Sequence, residues 1–125
     1  MQRFTDYEDL FKDIIYYFSE RITEARSHKI NDIIIDPGFG FSKTLEQNYE
    51  LLNNLELLNI IGLPILVGVS RKSMIYKLLN NSPNEALNGT TSLNTIALLK
   101  AAKILRVHDV KEAMECVKLT NQINS

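Results

Sequence analysis

Residues that could bind a charged ligand stand near the ends of three predicted strands. Two of these strands, residues 33–35 and 63–69, are continuous apolar runs, which are typical of strands buried on both faces, and the third is residues 104–107, which include Arg106. The residues are Asp36, Lys72, Ser73, Arg106 and His108. Because the carboxyl ends of parallel strands share one edge of a sheet, we expect these side chains to meet there.

The chemistry of this set points to a particular kind of ligand. Arg106 can pair with phosphate oxygens in a bidentate manner, and Lys72 would add a second positive charge. Asp36 could accept hydrogen bonds from two adjacent N–H groups of a heterocycle. The residues therefore predict a phosphorylated, nitrogen-rich small molecule, and they leave the reaction open.

Each residue also has a purely structural interpretation. Asp36 before Pro and Gly could be a turn residue. Arg106, expected to be buried in its strand, could form an internal ion pair with Asp109 or Asp36. His108 could be a capping or core histidine, and Ser73 could cap a helix. We favour ligand binding because these residues follow apolar strands.

Some neighbouring residues are assigned mainly to structure. Lys43 is interpreted as a charge at the rim, and Cys116 as a small core or interface residue. Of Phe39 and Phe41, one is expected in the core and one at the pocket. Arg71 and Lys72 could be solvated residues at a helix start, but that position disfavours cations, so the presence of two there needs another reason.

Helices separate the strands. Capping-box spacing at Thr5 and Thr44 predicts helices over residues 6–26 and from residue 44 onward. Asn88 and Gly89 are interpreted as a stop before a helix over residues 91–103. A last helix follows Asp109, with Ala113, Val117 and Leu119 among its apolar positions, and residues 121–125 are expected to fray.

Composition sets the broad class of protein. The chain has 125 residues, one domain at most, and a net charge of −1, which argues against nucleic-acid or membrane-surface binding. Its single cysteine cannot form an internal disulfide, and no apolar run approaches the ~20 residues of a membrane span. We expect a cytoplasmic protein.

The order of elements predicts an α/β fold. One helix precedes three strand–helix units, which implies a parallel sheet joined by right-handed crossovers. A closed barrel of eight such units needs about 250 residues, so the simplest interpretation is the second half of a longer (β/α) architecture.

Three motifs together resemble successive late-strand motifs of dihydropteroate synthase. They read DPGFGF at residues 36–41, VGVSRKS at residues 67–73 and RVHDV at residues 106–110. The resemblance covers essentially the whole chain. It implies a partial pterin-binding domain over residues 1–125, comprising the last three βα units, and one preceding helix, of a TIM (β/α)8 barrel.

The resemblance also implies an activity: joining p-aminobenzoate to (7,8-dihydropterin-6-yl)methyl diphosphate, in folate biosynthesis. The pterin would contact Asp36, Gly68, Lys72 and Arg106, with Lys72 and Arg106 catalytic. His108 would hold the diphosphate together with Arg106. Phe41 and Ser73 would seat p-aminobenzoate.

The family further implies magnesium, whose asparagine ligand is not in this chain, and a homodimer formed through the late helices. Since the motifs of the early strands are missing, we expect little activity from this chain alone. Two alternatives stay open. One is a methyltetrahydrofolate:corrinoid methyltransferase-like domain, and the other is a non-catalytic fragment that binds pterin or a partner.

Overall fold

The computed structural model describes residues 4–40 and 43–124. In this part of the chain, five α-helices surround a small parallel sheet. The elements are α1 (Phe4–Ser27), α2 (Leu45–Asn53), β1 (Ile65–Val67), α3 (Ser73–Tyr76), α4 (Leu87–Leu99), β2 (Ala102–Leu105) and α5 (Val110–Asn124). Two 3₁₀ helices, Leu55–Ile61 and Pro83–Glu85, complete the connections.

The sheet is parallel, as predicted. β1 pairs with β2, with Val67 opposite Leu105, and Ile35 forms a single parallel bridge to Ile65 on the other side of β1. β1 therefore lies in the middle, and both Ile65 and Val67 are fully buried. This order brings the ends of all three segments to one edge, as expected for consecutive strand–helix units.

The predicted strand over residues 33–35 is largely wrong. Only Ile35 pairs with β1, and the Ile34 side chain is 53% exposed rather than buried. The run was expected to be covered on both faces. Among the described residues, this segment has a hydrogen-bonded neighbour, β1, on one side only. Of its three residues, only Ile35 is fully buried.

β1 is shorter than predicted, and β2 has the predicted length but begins and ends two residues earlier, so Arg106 lies outside its strand. β2 ends at Leu105, although the backbone N–H of Arg106 still donates to the Val67 carbonyl at 3.0 Å. The Arg106 side chain is 63% exposed. The expectation of a buried guanidinium was wrong because the side chain points off the end of the sheet.

One predicted helix cap is confirmed, and one is wrong. The Thr44 hydroxyl accepts from the backbone N–H of Gln47, and the Gln47 side chain accepts from the backbone N–H of Thr44. In contrast, α1 begins at Phe4, so Thr5 lies inside the helix. A capping pattern is ambiguous when the preceding residues can also be helical.

Asn88 and Gly89 lie within the first turn of α4, so the predicted stop is wrong. A Cβ atom on Gly89 would lie 2.4 Å from Cγ2 of Ile75, which is buried beside α4. This glycine permits the close approach of α3 and α4 rather than ending a helix. α4 ends at Leu99, before the predicted end at residue 103.

The last helix differs from its prediction at both its buried face and its end. Ala113, Cys116 and Thr120 face inward, whereas the Leu119 side chain is 68% exposed. Cys116 is a buried free cysteine, which confirms its assignment to the core. Residues 121–124 continue the helix instead of fraying. None of the described helices has the length and apolar content needed to cross a membrane.

Candidate functional site

Asp36 is both a turn residue and a neighbour of Arg106. Its Oδ1 atom accepts from the backbone N–H of Gly38 at 2.9 Å, which forms the turn after the Ile35 bridge. Its Oδ2 atom lies 4.0 Å from an Arg106 nitrogen, and the Asp36 side chain remains 37% exposed. The ion pair with Asp36 considered from the sequence is therefore present, but it is long and open to solvent.

Lys72 reaches from the end of β1 to the turn after Ile35. Its Nζ atom donates to the Phe39 carbonyl at 2.6 Å, and the Phe39 side chain is in the core, as predicted for one of the two phenylalanines. Burial, followed by the nearby charge of Arg106, lowers the pKa of Lys72. The lysine thus belongs to the same cluster as Arg106 and Asp36.

Arg106 lies over the backbone of Gly68. A Cβ atom on Gly68 would be only 3.1 Å from a terminal Arg106 nitrogen. In this structure, the space next to Gly68 that the resemblance assigned to a flat ring is therefore occupied by the guanidinium. Since the side chain is mostly exposed, it can move without disturbing the core.

His108 contacts Ser70, one of the few buried polar residues. Its Nδ1 atom lies 2.7 Å from the Ser70 hydroxyl oxygen, which also accepts from the backbone N–H of His108 at 3.2 Å. The two residues line a pocket of about 250 Å³ together with Gly68, Lys72 and Arg106. The predicted diphosphate residues, Arg106 and His108, are therefore neighbours.

Ser73 does not line this pocket. It is the first residue of α3 and lines a second pocket of about 270 Å³ with Gly40 and Lys72. Phe41, its predicted companion, lies outside the described residues.

Lys43 supports the turn rather than standing free at the rim. Its Nζ atom donates to the carbonyls of Pro37 at 3.0 Å and Gly38 at 2.7 Å. Burial lowers the pKa of Lys43, against the opposing effect of the Asp36 charge. The lysine thus fixes the backbone that carries Asp36.

Arg71 and Asp109 form an ion pair that was not predicted from the sequence. Two Arg71 nitrogens each lie 3.0 Å from an Asp109 oxygen, and a third donates to the Pro83 carbonyl at 2.7 Å. These bonds lower the pKa of Asp109. Asp109 thus pairs with Arg71 and not with Arg106. The sequence did contain a sign of this ion pair. Arg71 is a cation at the start of a helix, where a positive charge is unfavourable unless an acidic residue pairs with it.

The backbone conformation of Arg71 directs the residues after it. Its φ of +55° lies in the left-handed region that non-glycine residues rarely adopt. Its N–H donates to the buried Thr90 hydroxyl at 2.9 Å, which holds this turn on α4. The turn points Lys72 and Ser73 toward the pockets.

Magnesium, which the family resemblance implies, stays a prediction for this chain. Residues 4–40 and 43–124 contain no group of three or more His, Cys, Asp or Glu side chains placed to hold a metal ion. The cationic surroundings of the pocket suit an anion instead.

Comparisons with known proteins identify the family. Residues 1–108 match the pterin binding enzyme family. The dihydropteroate synthase of Escherichia coli K12 is 44% identical over 121 residues, which cover 95% of this chain and 43% of that protein. The chain thus spans less than half the length of this relative.

Solved structures agree with the sequence relatives. The 7,8-dihydropteroate synthase of Vibrio fischeri is 49% identical, with a TM-score of 0.88 over 92% of this chain and 43% of that chain. A dihydropteroate synthase of Coxiella burnetii in complex with pteroic acid is 35% identical, with a TM-score of 0.91 over 95% of this chain and 45% of that chain. The chain, with Asp36, Lys72 and Arg106 grouped at the ends of its parallel strands, belongs to the pterin binding enzyme family.

Proposed function

We propose that this chain provides the late-strand side of a dihydropteroate synthase active site. The reaction joins (7,8-dihydropterin-6-yl)methyl diphosphate to p-aminobenzoate and releases pyrophosphate. The observation that carries the proposal is the grouping of one carboxylate and two cations at a single sheet edge, in a chain related to these synthases.

The charges of this edge suit the proposed substrate. Lys72 and Arg106 lie close enough for each other's charge to matter, and the 4.0 Å contact with Asp36 compensates them only weakly. An anionic diphosphate beside Arg106 and His108 would relieve that repulsion. The fixed cations would also stabilise the charge that develops on departing pyrophosphate, which is electrostatic catalysis.

The remaining groups would orient the reactants. Asp36 would accept hydrogen bonds from the pterin, and Lys72 would contact the same ring, with Gly68 admitting it once Arg106 moves. Ser73, with Phe41, would seat p-aminobenzoate in the second pocket. Holding the amine in line with the reacting methylene is an orientation effect. No step in this scheme depends on magnesium, for which we identify no site.

We further propose that the chain forms three βα units of a (β/α)8 barrel and is completed by the preceding units. Ile34 is exposed at the free edge of the sheet. A pocket of about 490 Å³ lies between Asp36 and α1, where it is lined by Leu10, Ile14, Tyr17 and Phe18. An apolar strand entering before α1 would fill this pocket and pair beside Ile34.

A homodimer through the late helices is the second assembly we propose. Val110 and Met114 of α5 are 60% and 66% exposed and line a groove with Lys111, Glu115 and Lys118. In a twofold arrangement, Glu115 of one copy can face a lysine of the other. Sedimentation at several concentrations should show dimers that Met114→Lys weakens. A wild-type chain that is monomeric at every concentration would rule this pairing out.

An assay of dihydropteroate formation tests the active-site proposal. It is run on this chain alone and on this chain mixed with the early-strand half of the E. coli relative, supplied as a separate polypeptide. We expect little turnover from the chain alone and measurable turnover from the mixture. Arg106→Ala should lower turnover of the mixture by roughly 10²-fold, the scale of losing one transition-state contact. Arg26→Ala, at the exposed end of α1, is the matched control.

Two results would contradict the proposal. Full turnover by the chain alone would show that the site does not need the early strands. Normal turnover by the Arg106→Ala mixture would show that the cationic edge is not the active site. The cytoplasmic location stays a prediction from composition.

A further inference from the structure

The buried hydroxyl of Ser70 joins the ends of β1 and β2 at His108. Ser70 is 7% exposed, and its oxygen is within hydrogen-bond distance of both the backbone nitrogen and Nδ1 of His108. Ser70 does not act as a helix cap, because α3 begins at Ser73 with Lys72 as its N-cap residue. The hydroxyl is therefore committed to His108.

The donors and acceptors of this contact allow two neutral forms of the ring. A hydroxyl has one proton to donate and two lone pairs to accept with. The backbone N–H of His108 can only donate, so it uses one lone pair. Nδ1 of a neutral imidazole can then accept the hydroxyl proton, with the ring proton on Nε2, or donate its own proton to the second lone pair. The first form is the one that offers an N–H donor to an anion at Nε2.

The same contact also accommodates a protonated ring. When both ring nitrogens carry protons, the hydroxyl can rotate and accept from Nδ1 with its second lone pair. The ring orientation is the same in both states. In the protonated ring, and in the neutral form that accepts from Ser70, Nε2 carries a proton and is the ring nitrogen that Ser70 does not bond. His108 lines the pocket with Arg106 and Lys72.

We propose that Ser70 is a positioning residue that holds His108 with its Nε2–H directed at a phosphate-type oxygen of the substrate. The proposal rests on the proposed function for the nature of that ligand, but the orientation of the ring stands on the geometry alone. Ser70 itself acts through His108 and contacts no reacting atom in this scheme.

Nitrogen-15 NMR of the His108 ring tests the proposal on this chain directly. With a neutral imidazole, the wild type should show an acceptor-like Nδ1 and a protonated Nε2; the reverse assignment would contradict the proposal. Ser70→Ala should bring the two shifts closer together, because the ring then exchanges between tautomers. Ser70→Thr, which retains the hydroxyl, should restore the wild-type pattern.

Two controls keep this result interpretable. Ser92→Ala removes an exposed hydroxyl that bonds within α4, and it should leave the His108 shifts unchanged. Backbone amide spectra of each variant report whether the chain remains folded. If folded Ser70→Ala shows the wild-type ring shifts, or if Ser70→Thr fails to restore them, the proposal is wrong.

Calorimetry with inorganic pyrophosphate separates this inference from the proposed function. We expect wild type to bind pyrophosphate and Ser70→Ala to bind about tenfold more weakly, which is the effect of losing ~1.4 kcal/mol. If wild type shows the predicted ring shifts but no pyrophosphate binding, the proposed ligand is wrong and the positioning role holds. Equal binding by wild type and Ser70→Ala would overturn the role of Ser70 in anion binding.

Discussion

The two sides of β1 differ in how completely they are built. Toward β2, a parallel ladder with one register shift, between Ile65 and Leu66, is followed beyond the strand ends by the Ser70–His108 contact and the Arg71–Asp109 ion pair. Toward residue 35 there is one bridge, and Ile34 beside it is half exposed. In this chain, an apolar sequence forms a strand with several paired residues only where another segment of the chain pairs with it along its length.

The candidate site residues are divided between the same two sides of β1. Lys72, Arg106 and His108 lie on the completed side, whereas Asp36 lies at the open edge. Asp36 is held there by its own turn and by Lys43, which bonds the turn carbonyls. We therefore expect the backbone that carries Lys72, Arg106 and His108 to be rigid in this chain, and the position of Asp36 to depend on the strand that would cover Ile34.

The largest expected difference in stability is between a substitution in the middle of the sheet and one at its open edge. Ile65→Ala empties a buried position in the middle of the sheet and should lower the free energy of unfolding by about 2–5 kcal/mol. Ile34→Ala removes a half-exposed side chain and should cost less than about 1 kcal/mol. Urea unfolding of both variants measures the difference, and equal losses would mean that the open edge is covered in solution.

A glycine tests how tightly the completed side is packed. Gly89→Ala places a Cβ atom against buried Ile75 and should destabilise the chain by about 1–2 kcal/mol, after the better helix propensity of alanine is included. Gly68→Ala meets only the movable guanidinium of Arg106 and should cost less. Thermal unfolding compares the two variants, and a stabilised Gly89→Ala would contradict the packing of α3 against α4.

The ion pair of the completed side should make stability depend on pH. The folded pKa of Asp109 lies below its ordinary value of 3.8, so its contribution is complete above about pH 4 and is lost as the pH falls through the lower folded value. Asp109→Asn should therefore be less stable than wild type at neutral pH and should converge with it in acid. Asp32→Asn, at an exposed position, should not show this pattern.

The smallest predicted effect concerns the coupling between Lys72 and Arg106. The pKa of Lys72 is lowered first by burial and then by the Arg106 charge, so Arg106→Ala should raise it partway toward 10.5. Titration of isotopically methylated lysines by NMR would detect this shift. If the Lys72 pKa is the same in wild type and Arg106→Ala, the two cations do not share one site.

The sequence alone determined which chemical groups stand at which strand ends. Continuous apolar runs and the Thr44–Gln47 cap are local patterns, and parallel topology then brings Asp36, Lys72 and Arg106 to one edge. The family resemblance was readable from the same residues and is confirmed by the comparisons. The roles of the individual site residues remain predictions.

Only the tertiary structure decided which side chains pair and which strand is covered. Ser70 and His108, like Arg71 and Asp109, are 38 residues apart, and their contacts depend on the register of β1 against β2. The close approach at Gly89 and the exposure of Ile34 likewise depend on neighbours distant in the chain. Local patterns report the conformation of a segment, whereas burial and pairing depend on what the rest of the fold places against it.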